Sequence, residues 1–100
     1  MSETEVWTVI KYKPKEGCEE DFVKELKRLE ESMKKNKAYS FLNTFIRLET
    51  GEFAQIARMP NLDALLDGQV TGLEWLDSVD HLLDRYESDS RTEAFSGFVI

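Results

Sequence analysis

The chain has 100 residues, of which 41% are hydrophobic and 33% charged, a composition typical of a single globular domain spanning residues 1–100. Its net charge of −7 argues against a nucleic-acid or anionic-membrane surface, because phosphate binding needs clustered Lys and Arg. One cysteine, Cys18, excludes an intramolecular disulfide and suits a reducing compartment. The start lacks a signal-peptide pattern, and no apolar run approaches the ~20 residues of a membrane span. We therefore expect a cytoplasmic protein.

The first third of the chain predicts a strand followed by a helix. Residues 5–13 read EVWTVIKYK, and their β-branched and aromatic side chains would place Trp7 and Val9 on one face and Val6 and Thr8 on the other. Residues 18–35 then carry apolar side chains at helical spacing. That stripe consists of Cys18, Phe22, Leu26, Leu29 and Met33.

Residues 40–59 predict a β-hairpin, because two runs rich in Phe, Ile, Leu and Thr flank a Thr50-Gly51 turn. A two-residue turn would place one set of side chains together, and that set is Phe41, Asn43, Phe45, Arg47, Ala54, Ile56 and Arg58. Thr44 and Gln55 would then lie on the opposite, helix-facing side. A three-residue turn would change this pairing. Either way, large apolar groups project from both faces of the hairpin.

The last third predicts two helices and a strand. Asn61 is a plausible N-cap for a short helix over residues 62–66, which Gly68 would end. Thr71 and Glu74 resemble a capping box for a second long helix over residues 72–86. Residues 92–100, TEAFSGFVI, predict the final strand by their alternation.

The resulting order is βαββαβ, which predicts an α+β, ferredoxin-like fold: a four-stranded antiparallel sheet with both helices on one face. Nothing in 100 residues remains to cover the other face. Phe41, Phe45 and Ile56 would project there together, and monomers rarely expose such a patch. We therefore expect a homodimer in which two sheets pack through their open faces.

The element order, the aromatic-bearing hairpin and the sequence Trp75-Leu76-Asp77-Ser78 at the start of the last helix resemble the dimeric α+β-barrel superfamily. The antibiotic-biosynthesis-monooxygenase-like (ABM-like) domains are the nearest in layout. This resemblance covers nearly the whole chain and implies a homodimeric barrel with a ligand pocket between sheet and helices in each subunit. Some members oxidise aromatic polyketides or quinols without metal or flavin, which implies no cofactor here.

Other members degrade haem, using an Asn on the first strand, a Trp at the start of the last helix and a His further along it. Trp75 matches that Trp. The Asn is absent, because Thr8 occupies the corresponding place, and the His position falls near Arg85 rather than His81. The resemblance therefore does not extend to haem degradation.

Six residues are candidates for ligand binding, and several of them also have a structural interpretation. Trp75 and Tyr86 border the apolar stripe of the last helix and would be core residues or pocket walls. Thr44 and Gln55 could orient a ligand from the sheet. Asn43, Arg47 and Arg58 could anchor an anionic or carbonyl-bearing ligand, whereas the two arginines could instead pair with acidic residues across a dimer interface. The full set is Trp75, Tyr86, Thr44, Gln55, Asn43 and Arg58.

The sequence identifies no catalytic residue and no metal site. His81, the only histidine, falls on the solvent side of the predicted helix, and one His with one Cys shows no ligand spacing. Cys18 continues an apolar stripe, which favours a buried, inert thiol. We expect a small homodimer with an apolar pocket for an aromatic or lipophilic molecule, either a cofactor-independent monooxygenase or a non-catalytic ligand-sensing or protein-interaction dimer.

Overall fold

A computed structural model describes residues 5–34 and 43–100 of the chain. Over these residues it is an α+β structure with four strands, two long helices and one 3-10 turn. The elements are β1 (Val6–Tyr12), α1 (Glu19–Lys34), β2 (Asn43–Arg47), β3 (Phe53–Met59), α2 (Leu62–Val79), the 3-10 turn (Asp80–Leu82) and β4 (Thr92–Phe98). The strands form one antiparallel sheet in the order β2-β3-β1-β4. This arrangement is compatible with the predicted ferredoxin-like fold.

Both helices pack on one side of the sheet, which we call the covered face. Phe22 of α1 and Trp75 of α2 both contact the Tyr12 ring, with ring centroids 5.5 and 5.7 Å away. The covered-face residues of the sheet are Val6, Thr8, Ile10, Tyr12, Asn43, Phe45, Arg47, Phe53, Gln55, Ala57, Met59, Thr92, Ala94, Ser96 and Phe98. The main cluster of core residues is Tyr12, Phe22, Leu26, Phe53, Val79, Leu82 and Leu83.

The other side of the sheet, the open face, has no helix on it among the described residues. Its side chains are Trp7, Val9, Lys11, Thr44, Ile46, Ala54, Ile56, Arg58, Glu93 and Phe95, with Gly97. Trp7, Ile46 and Phe95 are 37%, 42% and 62% exposed. The predicted alternation within β1 and β4 is confirmed. The sheet is therefore apolar on both sides.

The predicted pairing of the hairpin is wrong by one residue. Phe45 pairs with Gln55 rather than Ile56, and Asn43 pairs with Ala57 rather than Arg58. The cause is a three-residue turn over residues 49–51, because the Leu48 amide donates to the Glu52 carbonyl (2.8 Å). Gly51, the last residue of that turn, has φ +91°. A one-residue shift moves side chains to the opposite face.

This shift exchanges the two faces of β2. Asn43, Phe45 and Arg47 point toward the helices, and Thr44 and Ile46 lie on the open face instead. The patch predicted from Phe41, Phe45 and Ile56 is therefore wrong in composition. Ile56 does lie on the open face, whereas Phe41 lies outside the described residues.

The predicted division of the last helical region is also wrong. One helix runs without interruption from residue 62 to residue 79, so that neither Gly68 nor Thr71 marks a boundary. A glycine inside a helix costs only about 1 kcal/mol relative to alanine. Burial of Trp75, Leu76 and Val79 against the core contributes enough favourable free energy to offset that cost.

The same region ends earlier than predicted, so that Tyr86 lies beyond the helix. Leu83 adopts an extended conformation and forms a β-bridge with Pro14. Two backbone bonds fix this junction: Lys15 N donates to Leu82 O, and Asp84 N donates to Lys13 O, both at 2.8 Å. These contacts with the segment after β1 thus hold residues 82–84 in a conformation that ends the helix.

Candidate functional site

A line of polar side chains crosses the covered face beneath the helices. The Tyr12 hydroxyl donates to Gln55 Oε1 (2.8 Å), and Gln55 Nε2 donates to Asn43 Oδ1 (2.9 Å). Gln55 is only 6% exposed, and burial raises the pKa of the Tyr12 hydroxyl. Because buried polar groups are costly without partners, these bonds explain how a glutamine and a tyrosine hydroxyl are accommodated in the core.

Trp75 lies directly against this line. Its ring makes an edge contact with Tyr12 at 5.7 Å and a tilted contact with Phe22 at 5.8 Å. Its indole Nε1 is buried and has no hydrogen-bond partner among the described residues. An indole N–H is a donor that normally finds an acceptor when it is buried. Trp75 is thus partly a core residue and partly a donor available to an acceptor.

The structure separates the other predicted site residues. Gln55 and Asn43 belong to the line beside Trp75, but Thr44 and Arg58 lie on the open face. Arg58 Nε is 3.7 Å from a Glu5 carboxylate oxygen, and its guanidinium lies 5.9 Å from the Trp7 ring centroid. The six candidates therefore do not form one site.

Tyr86 is bound to the hairpin turn instead of the helix stripe. Its hydroxyl donates to Glu52 Oε2 (2.6 Å), and the Thr50 hydroxyl donates to Glu52 Oε1 (2.8 Å). The Lys11 ammonium lies 3.5 Å from the same carboxylate. The Tyr86 hydrogen bond, more than the contributions of Thr50 and Lys11, holds the pKa of Glu52 below its usual range. Burial and that carboxylate raise the pKa of Tyr86.

One groove lies between α1 and the β2 edge, and we call it the α1–β2 groove. It has a volume of about 270 Å³ and is open to solvent on one side. Its lining residues are Val23, Leu26, Lys27, Glu30, Phe45, Ile46, Arg47 and Phe53. The Arg47 guanidinium lies 5.1 Å from the Phe53 ring centroid. The groove thus combines an apolar interior with charged groups along its rim.

A second groove of about 370 Å³ lies between α1 and the end of α2. It contains the exposed His81 together with Ser78 and, on α1, charges of both signs, and its residues are Asp21, Lys24, Glu25, Arg28, Ser78, His81 and Leu82. Neither groove includes Trp75. Within the described ranges, no cluster of three or more His, Cys, Asp or Glu side chains could hold a metal ion. Cys18 is half-buried against the core.

Sequence reasoning missed two residues that organise these sites, Tyr12 and Glu52. Tyr12 alternates onto the covered face with Val6 and Thr8, so the strand pattern could have placed its side chain on that face. It could not have given the partner, because Tyr12 pairs with Phe53 and reaches Gln55 diagonally. Glu52 carried no such signal, because its bond to Tyr86 joins residues 34 positions apart. Among the described helices, none is both long and apolar enough to cross a membrane. Comparison with protein-family models, with curated proteins and with solved structures gave no match for this chain.

Proposed function

We propose that the protein works as a homodimer whose two sheets pack through their open faces. The observation that carries this proposal is the exposure of Trp7, Ile46 and Phe95 on one face at 37%, 42% and 62%. Val9 and Ile56 are partly exposed between them. Covering each large apolar side chain is worth about 1.5–3 kcal/mol, and contiguous apolar patches of this kind commonly mark interaction sites.

The charge distribution favours a second copy of the chain as the partner. The open face carries two cations, Lys11 and Arg58, and one carboxylate, Glu93, and the carboxylates of Glu52 and Glu5 also lie within 4 Å of Lys11 and Arg58. The charges at this face are thus paired, and most of the net charge of −7 lies elsewhere in the chain. Two copies can bring these faces together without like-charge repulsion, while a strongly basic partner would find little to bind there.

Phe95 and Phe98 provide a matched test of this dimer. They lie on the same strand at 62% and 58% exposure but on opposite faces of the sheet. We expect light scattering during size-exclusion chromatography to give the mass of two chains for the wild type and for Phe98→Lys, and of one folded chain for Phe95→Lys. A one-chain mass for the wild type, or equal effects of both substitutions, would contradict the proposal.

A small-molecule site beside Trp75 is a second candidate, and the buried, unpartnered indole Nε1 is what favours it. A carbonyl or quinone oxygen could accept this hydrogen bond while the ligand packs on neighbouring aromatic rings. On the resemblance to ABM-like domains, the corresponding activity is cofactor-independent oxidation of an aromatic substrate by O₂. Without that activity, the same contact would make the dimer a ligand sensor.

The second candidate is tested with 1,4-naphthoquinone and with the corresponding hydroquinone. We expect the quinone to raise the melting temperature of the wild type and of Trp7→Phe, but not of Trp75→Phe. Oxygen consumption with the hydroquinone that depends on Trp75 would distinguish an enzyme from a sensor. Equal stabilisation of all three proteins, or of none, would remove Trp75 from consideration as a ligand contact.

A further inference from the structure

We propose that the α1–β2 groove binds a small aromatic carboxylate, with the ring system between Leu26 and Phe53 and the carboxylate at Arg47. This site does not include Trp75, and it shares only Ile46, at the edge of the sheet, with the proposed dimer face. The ligand contacts proposed here do not depend on either of them. Three features carry the proposal: the apolar interior, the size of the groove and the unpaired charge at its rim.

The interior of the groove is continuous with the hydrophobic core. Leu26 and Phe53 are buried members of the core cluster, while Val23 and Phe45 pack against that cluster from its edge. A cavity of about 150 Å³ lined by similar side chains takes up benzene. The 270 Å³ of this groove therefore suits a flat ligand of one or two fused rings.

Arg47 differs from the other arginines of the chain. Arg28, Arg58, Arg85 and Arg91 each lie within 4 Å of a carboxylate, whereas Arg47 forms no ion pair within the part of the chain that the structure describes. Its guanidinium instead rests on the Phe53 ring at 5.1 Å. An arginine held over an aromatic ring at the mouth of an apolar groove is placed to bind a carboxylate through two parallel hydrogen bonds.

The other charges of the rim agree with an anionic ligand. Lys27 and Arg47 supply two cations against the single carboxylate of Glu30. Lys27 forms no ion pair with another described residue, so its charge adds to the attraction for an anion. A neutral aromatic molecule would gain only the apolar contacts. The geometry thus favours the acid over an amide of the same shape.

The probes are 2-naphthoate and 2-naphthamide, which share one ring system and differ in charge. We expect 15N-resolved NMR titration of the full chain to show 2-naphthoate shifting the amide signals of Val23, Leu26 and Arg47. We also expect its Kd to be about tenfold lower than that of 2-naphthamide, because only the acid forms charge-assisted bonds.

Arg47→Gln should remove most of the preference for the acid, and Lys27→Gln should remove a smaller part of it. Arg28→Gln is the matched control, because Arg28 is an exposed arginine on α1, next to Lys27, and does not line the groove. This substitution should leave both affinities unchanged. Both arginine variants replace exposed side chains, and an unchanged NMR spectrum away from the substitution confirms that they fold.

Several results would overturn the proposal: equal affinity for acid and amide, an unchanged preference in Arg47→Gln, signal changes centred on Trp75, or no binding at millimolar probe. The dimer is measured separately by light scattering. Phe95→Lys should alter the mass without altering the acid preference, and Arg47→Gln should do the reverse. The failure of one proposal is therefore distinguishable from the failure of the other.

Discussion

The two faces of the sheet differ in which side chains they bury and which they expose. The covered face buries polar groups, Tyr12, Gln55 and Thr8, and each is bonded to a neighbouring strand. The open face exposes apolar groups, Trp7, Ile46 and Phe95, with no helix over them among the described residues. Buried polar atoms are satisfied by neighbours in the same sheet, but exposed apolar surface needs another layer. Apart from Phe98, which is 58% exposed, the covered face is therefore completed within one chain, whereas the open face is not.

The largest loss of stability should come from replacing Phe22 of α1, which packs on the covered face. Its ring is fully buried between Tyr12, Phe53 and Trp75. We expect Phe22→Ala to lower the free energy of unfolding by about 3–5 kcal/mol, because it removes apolar contacts and leaves a cavity. Phe98→Ala is the control, since a substitution at an exposed site usually changes stability by less than about 0.5 kcal/mol. Urea denaturation measures both. Similar losses would mean that Phe98 is also covered.

A smaller effect should follow from breaking the polar line of the covered face. Tyr12→Phe keeps the ring but removes the hydrogen bond that its hydroxyl donates to Gln55 Oε1, and the loss of a buried hydrogen-bond partner costs about 1–3 kcal/mol. Tyr86→Phe should cost less, because the Glu52 carboxylate keeps Thr50 and Lys11 as partners. Urea denaturation of the two variants compares them directly. A larger loss for Tyr86→Phe would contradict the importance of the Tyr12–Gln55 bond.

The pH dependence of the free energy of unfolding should report on the Glu52–Tyr86 contact. The folded-state pKa of Glu52 lies below its ordinary 4.5, so its stabilising contribution is present above pH 4.5 and is lost as the pH falls through the lowered value. The pKa of Tyr86 lies above its ordinary 10.0. Its contribution is therefore present below pH 10 and is lost as the pH rises through the raised value.

Glu52→Gln is the corresponding variant, and it should have a smaller effect than Phe22→Ala or Tyr12→Phe. At neutral pH we expect a loss of about 1 kcal/mol, because the remaining hydrogen bond no longer involves a charge. The stability of the variant should fall less steeply in acid than that of the wild type. Glu93→Gln is the control, since Glu93 is more exposed and contacts Lys11 only at 3.5 Å. If the free energy of unfolding fell equally in acid for the wild type and for Glu52→Gln, the stabilising role of the Glu52 carboxylate would be contradicted.

The sequence predicted the positions of some candidate site residues, but not which of them lie together in the structure. It placed Trp75 at the edge of an apolar stripe and Gln55 on the helix-facing side of the hairpin, and both positions agree with the structure. It placed Arg47 on the wrong face, and so it could not predict the α1–β2 groove. That error came from the turn, because nothing local distinguishes a two-residue turn at Thr50-Gly51 from a three-residue one.

The sequence by itself determined the order of the elements and which side chains of a single strand share a face, because alternation and helical periodicity are properties of neighbouring residues. Only the tertiary structure decided which strand residues meet, where α2 ends and where Tyr86 binds. Those features depend on contacts between distant segments, such as Phe45 near Leu26 at the α1–β2 groove, Pro14 against Leu83, and Tyr86 with Glu52. The energy of such contacts is absent from any short stretch of sequence and arises only when the packed layers bring the partners together.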